Sequence, residues 1–167
     1  PKLYMKGDAL DENHTGNRIR PVKPITQTAI SLILRFGLYE EEERQGLVDK
    51  LVELIEEFGG RMNTGFVGTP LILRALSDNG RADVAFNLLL QEQNPSWLFS
   101  VNQGATTMWE HWNGIKEDGS FWSAEMNSFN HYAYGCVCEW IWETVAGIAS
   151  DVACPGFRHI IMTPVPD

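Results

Sequence analysis

The apolar residues of this chain recur mostly at helical spacing, so the pattern predicts helices joined by loops. From Ile25 to about Leu38 they lie almost all round the helical axis, which predicts a helix buried on most sides and closed by Gly37. A second helix, from about Glu40 to Phe58, has one apolar stripe and an acidic opposite face. That combination is typical of an outer helix that faces solvent.

The next segment predicts an antiparallel pair of helices. Thr69-Pro70 has the composition of a helix start, with Thr as the cap and Pro at the first helical position, and this helix should run to about Ser77. Asp78-Asn79-Gly80 predicts a turn, and another apolar helix follows it. A last long helix is expected from about Phe129 to Ile148.

Two regions depart from the helical pattern. Residues 1–24 have no sustained period and are expected to form an irregular lead-in. The run from Phe157 to Met162 is β-like. We therefore expect an all-α fold with a short β-like C-terminal tail, although periodicity alone leaves a solenoid, a bundle and a helical barrel open.

Composition narrows the class of protein. Hydrophobic residues make up 44% and charged residues 21%, which is ordinary for a globular domain. The net charge of -9, without a basic cluster, argues against a nucleic-acid partner, and no apolar run approaches the roughly 20 residues of a membrane span. The three cysteines fit neither a disulfide framework nor a zinc site, so we expect them to be small core residues.

The stretch from Ser96 to His131 is too polar for a core and too aromatic for a plain loop. A sugar ring offers an apolar face that stacks on Trp and an edge of hydroxyls that binds amides, imidazoles and carboxylates, so this mixture suits a carbohydrate pocket. Glu110, between the indoles of Trp109 and Trp112, is the candidate proton acceptor. A Trp-rich loop over the core, with Glu110 as a cap or ion-pair partner, stays open.

Several motifs resemble glycoside hydrolase family 78, the bacterial α-L-rhamnosidases. The resemblance extends in order from about Ile25 to Pro164, and its two most specific segments contain Trp109-Glu110 and Asn127 to Gly135. The motifs are Thr64 to Pro70, Asn79 to Asp83, Pro95 to Leu98, Gly104 to Trp112, Asp118 to Phe121 and Met126 to Gly135.

The resemblance implies a catalytic (α/α)6 barrel, of six inner and six outer helices, that hydrolyses terminal α-L-rhamnosides with inversion. Inversion needs two carboxyl groups roughly 6.5 to 9.5 Å apart, one acting as acid and one as base. By this resemblance Glu110 is the general base and His131 binds a sugar hydroxyl. We expect the rest of the sugar site to include Trp109, Trp112, Phe66, Thr64 and Asn127, with a rhamnoside as substrate and neither metal nor cofactor.

The family's general acid is expected in an acidic, Trp-containing motif upstream, and this sequence has no such motif. Asp118, Glu125 and Glu139 are poor substitutes. The pattern predicts about five helices, roughly half of a closed barrel. We therefore expect residues 25–150 to be the C-terminal half of the catalytic barrel, without its N-terminal half, and residues 151–167 to begin a C-terminal β-sandwich.

Two other interpretations remain open. The isolated chain is expected to be inactive, a non-catalytic fragment that presents part of a sugar pocket. Alternatively, the barrel acts on another sugar, a different deoxysugar or an unsaturated uronide. The lack of a basic residue beside the aromatic cluster argues against an acidic sugar, because a carboxylate normally recruits Arg or Lys.

Overall fold

A computed structural model describes residues 25–165. Helices dominate as far as residue 102, and loops, short helical turns and one β-hairpin follow. The predicted irregular lead-in, residues 1–24, lies outside the described residues. None of the helices within residues 25–165 combines the length and the apolar character that crossing a bilayer requires.

Helix α1, Gln27–Phe36, confirms the first predicted element. The hydroxyl of Thr26 accepts a hydrogen bond from the amide of Ala29 and caps the helix start, and Gly37 ends the helix in the left-handed conformation with φ 61°. Its burial is less complete than predicted, because Phe36 is 65% exposed.

Helix α2, Arg44–Glu57, follows a 3-10 turn at Glu41–Glu43 and turns a broad apolar face inward. Leu47, Leu51 and Ile55 are buried. The buried amide of Gln27 ties this helix to α1: Nε2 donates to the carbonyls of Leu54 and Arg61, and Oε1 accepts from the amide of Asn63. One side chain thus satisfies three backbone groups, one in the last turn of α2 and two in the connection after it.

Helix α3, Gly65–Ser77, begins a turn earlier than predicted. Thr69 is not its cap, because the Thr69 hydroxyl donates to the carbonyl of Gly65 at 2.6 Å, and Pro70 lies inside the helix. Packing against α1 stabilises the extra turn: the hydroxyl of Thr28 donates to the carbonyl of Thr64 at 2.8 Å. This long-range contact has no signal in the local sequence.

The predicted antiparallel pair is confirmed by the turn at residues 78–80 and by helix α4, Ala82–Leu89. Helices α1 to α4 share one apolar core, which includes Ile30, Leu51, Ile72, Leu76 and Leu88. A short helix that the sequence pattern did not predict, α5 at Trp97–Asn102, starts where the hydroxyl of Ser96 accepts from the amide of Phe99.

The last helical element is shorter and less regular than the predicted helix. It runs as a 3-10 turn at Ala133–Cys136, helix α6 at Val137–Trp140 and a π-helical turn at Ile141–Val145. Strand β1, Ile148–Ser150, then pairs antiparallel with β2, Ile160–Met162, so the β-like tail is a hairpin that begins where a helix was expected.

The prediction that the cysteines are core residues is wrong. Cys136 and Cys154 are only half-buried, and Cys138 is exposed. Burial raises the pKa of the Cys136 thiol to about 11, which keeps it protonated and unreactive.

Gly68 is where α3 approaches α1 most closely. A Cβ atom at Gly68 would lie 2.5 Å from the hydroxyl of Thr28 and 3.1 Å from its Cα. We expect Gly68→Ala to lower the free energy of unfolding by about 1–3 kcal/mol, because the two helices must move apart. Urea denaturation measures the change.

The matched control is Gly46→Ala on α2, where a Cβ atom has open space. It should raise the free energy of unfolding by about 0.5–1 kcal/mol, since Ala loses less backbone entropy in a helix. Equal effects of the two substitutions would contradict close packing at Gly68.

Candidate functional site

Backbone hydrogen bonds bring the two most specific motifs alongside each other. The amide of Glu110 donates to the carbonyl of Ser128 at 2.8 Å, and the amide of His131 donates to the carbonyl of Met108 at 2.8 Å. The hydroxyl of Thr107 also donates to the carbonyl of Phe129. These bonds hold Glu110 and His131 on neighbouring segments of one loop cluster.

The carboxylate of Glu110 is half-buried and has one hydrogen bond to a described residue. Its Oε2 accepts from the amide of Ser128 at 3.2 Å. None of the ion pairs within residues 25–165 includes Glu110, so the alternative of a carboxylate locked to a guanidinium is not realised there. Oε1 remains available to a water molecule or a ligand.

The two indoles beside Glu110 contact different aromatic partners. Trp109 is 5% exposed and meets the ring of Phe129 edge-on at 5.2 Å. Trp112 stacks on Tyr134 with 3.8 Å between ring centroids and meets Trp97 edge-on at 5.3 Å. Glu110 is therefore flanked by packed aromatic side chains. We call this set, Trp97, Trp109, Trp112, Phe129 and Tyr134, the aromatic wall.

His131 stacks on Phe66, with ring centroids 4.8 Å apart and an interplanar angle of 13°. Phe66 is 43% exposed, so this pair reaches the surface from the first turn of α3. The amide of Ala133 donates to Nδ1 of His131 at 3.3 Å. The proton of the neutral ring is consequently on Nε2, which is available as a donor.

Tyr134 connects these groups, and sequence reasoning missed it as a site residue. Its ring is 6% exposed and lies between Trp112, at 3.8 Å, and Phe66, at 5.0 Å. The indole Nε1 of Trp97 donates to the Tyr134 carbonyl at 2.8 Å. The available signal was its place in the motif from Met126 to Gly135, three residues after His131.

The side chains of Thr64 and Asn127 form hydrogen bonds within the protein. The hydroxyls of Thr64 and Thr69 are 2.8 Å apart at the start of α3. Nδ2 of Asn127 donates to the carbonyl of Gly114 at 2.9 Å, and its Oδ1 is buried without a partner in the described part of the chain. Both side chains thus support Phe66 and the loop behind Trp109.

Two cavities of the described region bear on the site. One, of about 300 Å³, lies behind the aromatic wall between α5 and the Thr106 to Trp109 segment, and Trp112 also lines it. The other, of about 390 Å³, lies between the start of α1 and the end of α2, away from Glu110. Within residues 25–165 no group of three or more His, Cys, Asp or Glu side chains is arranged to hold a metal ion.

The other carboxylates considered from the sequence lie on the surface. Asp118 occupies an exposed turn, where it accepts hydrogen bonds from the amide and hydroxyl of Ser120, and these bonds lower its pKa. Glu125 and Glu139 are exposed. An exposed carboxylate of this kind is not enclosed with a substrate, as a general acid must be.

Comparison with known proteins identifies the relatives of this chain. Residues 6–145 match the family described as the bacterial alpha-L-rhamnosidase 6 hairpin glycosidase domain. An alpha-L-rhamnosidase of Streptomyces avermitilis is 47% identical over 145 residues, which cover 87% of this chain and 14% of the relative. One from Formosa agariphila is 43% identical over 141 residues, covering 84% of this chain and 15% of the relative.

Solved structures agree with these relatives. The crystal structure of the Streptomyces avermitilis alpha-L-rhamnosidase complexed with L-rhamnose matches with a TM-score of 0.76 and 45% identity, over 84% of this chain and 13% of that one. The native enzyme from Aspergillus terreus matches with a TM-score of 0.80 and 39% identity, over 84% and 16%. The chain therefore has the fold of part of a six-hairpin helical barrel and spans about a seventh of these relatives.

We expect Asn127→Asp to lower the free energy of unfolding by about 1–3 kcal/mol, because a carboxylate cannot donate to the Gly114 carbonyl and instead faces it as a second acceptor. Asn130→Asp is the matched control, since Asn130 is exposed. Urea denaturation compares the two. Equal stability of both variants would contradict a supporting role for the Asn127 amide.

Proposed function

Because this chain belongs to the bacterial alpha-L-rhamnosidase six-hairpin glycosidase family, we propose that it is the C-terminal half of the catalytic barrel of a longer α-L-rhamnosidase. Residues 25–150 form the half barrel in this proposal, and residues 151–167 begin the β-sandwich that follows it. The share of the relatives that the chain covers, about 14%, supports a longer parent protein. The β1–β2 hairpin lies at the proposed boundary.

The proposed reaction is release of terminal α-L-rhamnose with inversion, with Glu110 as the general base. A base must be held in place and must keep an oxygen available for the water that it deprotonates. The carboxylate of Glu110 meets both needs: Oε2 accepts from the amide of Ser128, and no described cation forms an ion pair with it. This geometry is the observation that carries the proposal.

In this proposal, the aromatic side chains next to Glu110 bind the sugar. The exposed face of Phe66 suits the apolar face of a deoxysugar, and Nε2 of His131 is a donor for one of its hydroxyls. Trp109 and Trp112 line the wall, and Thr64 and Asn127 hold the surrounding loops. The same groups would accept another neutral deoxysugar, and a panel of aryl glycosides distinguishes the two substrates.

The general acid belongs to the half of the barrel outside this chain in our proposal. An inverting hydrolase needs both an acid and a base, so the isolated 167 residues should bind sugar weakly at most and release none.

The central test replaces Glu110 with Gln in the full-length enzyme. Gln keeps the size and the acceptor oxygen but cannot take a proton at neutral pH. We expect Glu110→Gln to lower kcat by about 10²–10⁴-fold, with rhamnose affinity largely retained. Turnover of an aryl rhamnoside and calorimetric titration with rhamnose measure the two quantities.

Glu42→Gln is the matched control, because Glu42 lies exposed on the 3-10 turn before α2 and should leave kcat unchanged. The isolated chain should release no aryl alcohol in the same assay. Wild-type kcat in Glu110→Gln would refute the assignment of the base.

A second test separates recognition from chemistry. His131→Ala removes both the Nε2 donor and the ring that stacks on Phe66, so we expect KM to rise about tenfold or more, with a smaller change in kcat. His159→Ala in the β-hairpin, where His159 pairs with Asp151, is the control. An unchanged KM in His131→Ala would exclude His131 from the sugar site.

A further inference from the structure

Building on the proposed function, we propose that Tyr134 is a specificity-determining residue whose phenol hydroxyl donates a hydrogen bond to a hydroxyl of the sugar bound beside Glu110. The residue follows His131 by three positions and lies in the 3-10 turn at Ala133–Cys136, which begins two residues after His131. The proposal rests on the packing of its ring and on the state of its hydroxyl.

The ring of Tyr134 is held on both sides. Trp112 stacks on one face with 3.8 Å between centroids and an angle of 16°, and Phe66 leans on it at 5.0 Å and 48°. The backbone is fixed as well, since Trp97 donates its indole N–H to the Tyr134 carbonyl. A side chain this constrained directs its hydroxyl to one place, which is what selection among similar sugars requires.

The hydroxyl itself makes no hydrogen bond to another described residue, although the residue is 6% exposed. The buried side-chain N and O atoms without a partner among residues 25–165 are His111 Nε2 and Asn127 Oδ1, so the Tyr134 oxygen retains contact with solvent. The ring of Tyr134 is thus buried, while its hydroxyl is accessible and can donate a hydrogen bond to a ligand.

The environment of the Tyr134 hydroxyl keeps it protonated, so that it can donate a hydrogen bond. Burial raises the pKa of the Tyr134 phenol, and the negative charge of Glu110 adds to this effect, so the hydroxyl stays protonated at neutral pH. Geometry links the two residues as well, because Trp112, which stacks on Tyr134, follows Glu110 by two positions. Among the described residues no hydrogen bond joins the Tyr134 phenol to the Glu110 carboxylate, so neither group occupies the other.

The partner of this hydroxyl is a sugar hydroxyl rather than the attacking water. A donor directed at the water would withdraw electron density from the oxygen that must attack the anomeric carbon, and would oppose the proton acceptor. A sugar hydroxyl, by contrast, accepts from Tyr134 and remains free to donate elsewhere. The phenol therefore contributes to the choice of sugar and not to proton transfer.

The test is Tyr134→Phe in the full-length enzyme, which keeps the ring stacked and removes only the oxygen. We expect kcat/KM for an aryl α-L-rhamnoside to fall about tenfold to a hundredfold, with the melting temperature preserved. Aryl rhamnosides that each lack one ring hydroxyl extend the test. For the analogue without the hydroxyl that Tyr134 contacts, wild type and Tyr134→Phe should have equal kcat/KM.

Tyr39→Phe is the control, since Tyr39 packs against the core remote from Glu110 and should behave as wild type. An unchanged kcat/KM in Tyr134→Phe would overturn the proposal, and so would a loss of the same size with every analogue, because that result indicates a structural role. Failure of the wild type to hydrolyse any rhamnoside would refute the proposed function instead.

Discussion

The hydrogen bonds between the Thr107 to Glu110 segment and the Ser128 to His131 segment are the constraint on which the candidate site depends. They determine where Glu110 lies relative to His131, and they engage backbone groups that would otherwise enter a helix. The helical element after them consequently starts at Ala133, several residues later than the apolar pattern predicts. The hydrogen bonds between the two loop segments therefore also explain why the helix starts late.

The second half of the site is positioned by the contact between α1 and α3. The Thr28 hydroxyl and the absent side chain of Gly68 let the two helices approach closely, and the first turn of α3 forms against α1. That turn carries Phe66 to the face of His131 and to the edge of Tyr134. The residues around Glu110 therefore depend on helix packing as well as on loop structure.

Sequence reasoning succeeded where local chemistry decides the structure. The end of α1 at Gly37, the acidic outer face of α2 and the turn at residues 78–80 each depend on residues close in sequence. It failed where distant residues decide, as at the start of α3 and in the last helical element. At the site, motifs identified Glu110 and His131, while the engagement of Asn127 and the place of Tyr134 follow from contacts that a linear pattern does not contain.

The β-hairpin after the π-helical turn is a two-stranded ribbon at the end of the helical region. A two-stranded ribbon is marginal by itself in water, and β2 exposes three apolar residues in a row. Its return strand bonds back to the helical side, from the Thr163 amide to the Gly147 carbonyl and from the Val165 amide to the Thr144 carbonyl. The ribbon is thus hydrogen-bonded to the end of the helical element that begins two residues after His131, so the ribbon cannot move away from that element without breaking these bonds.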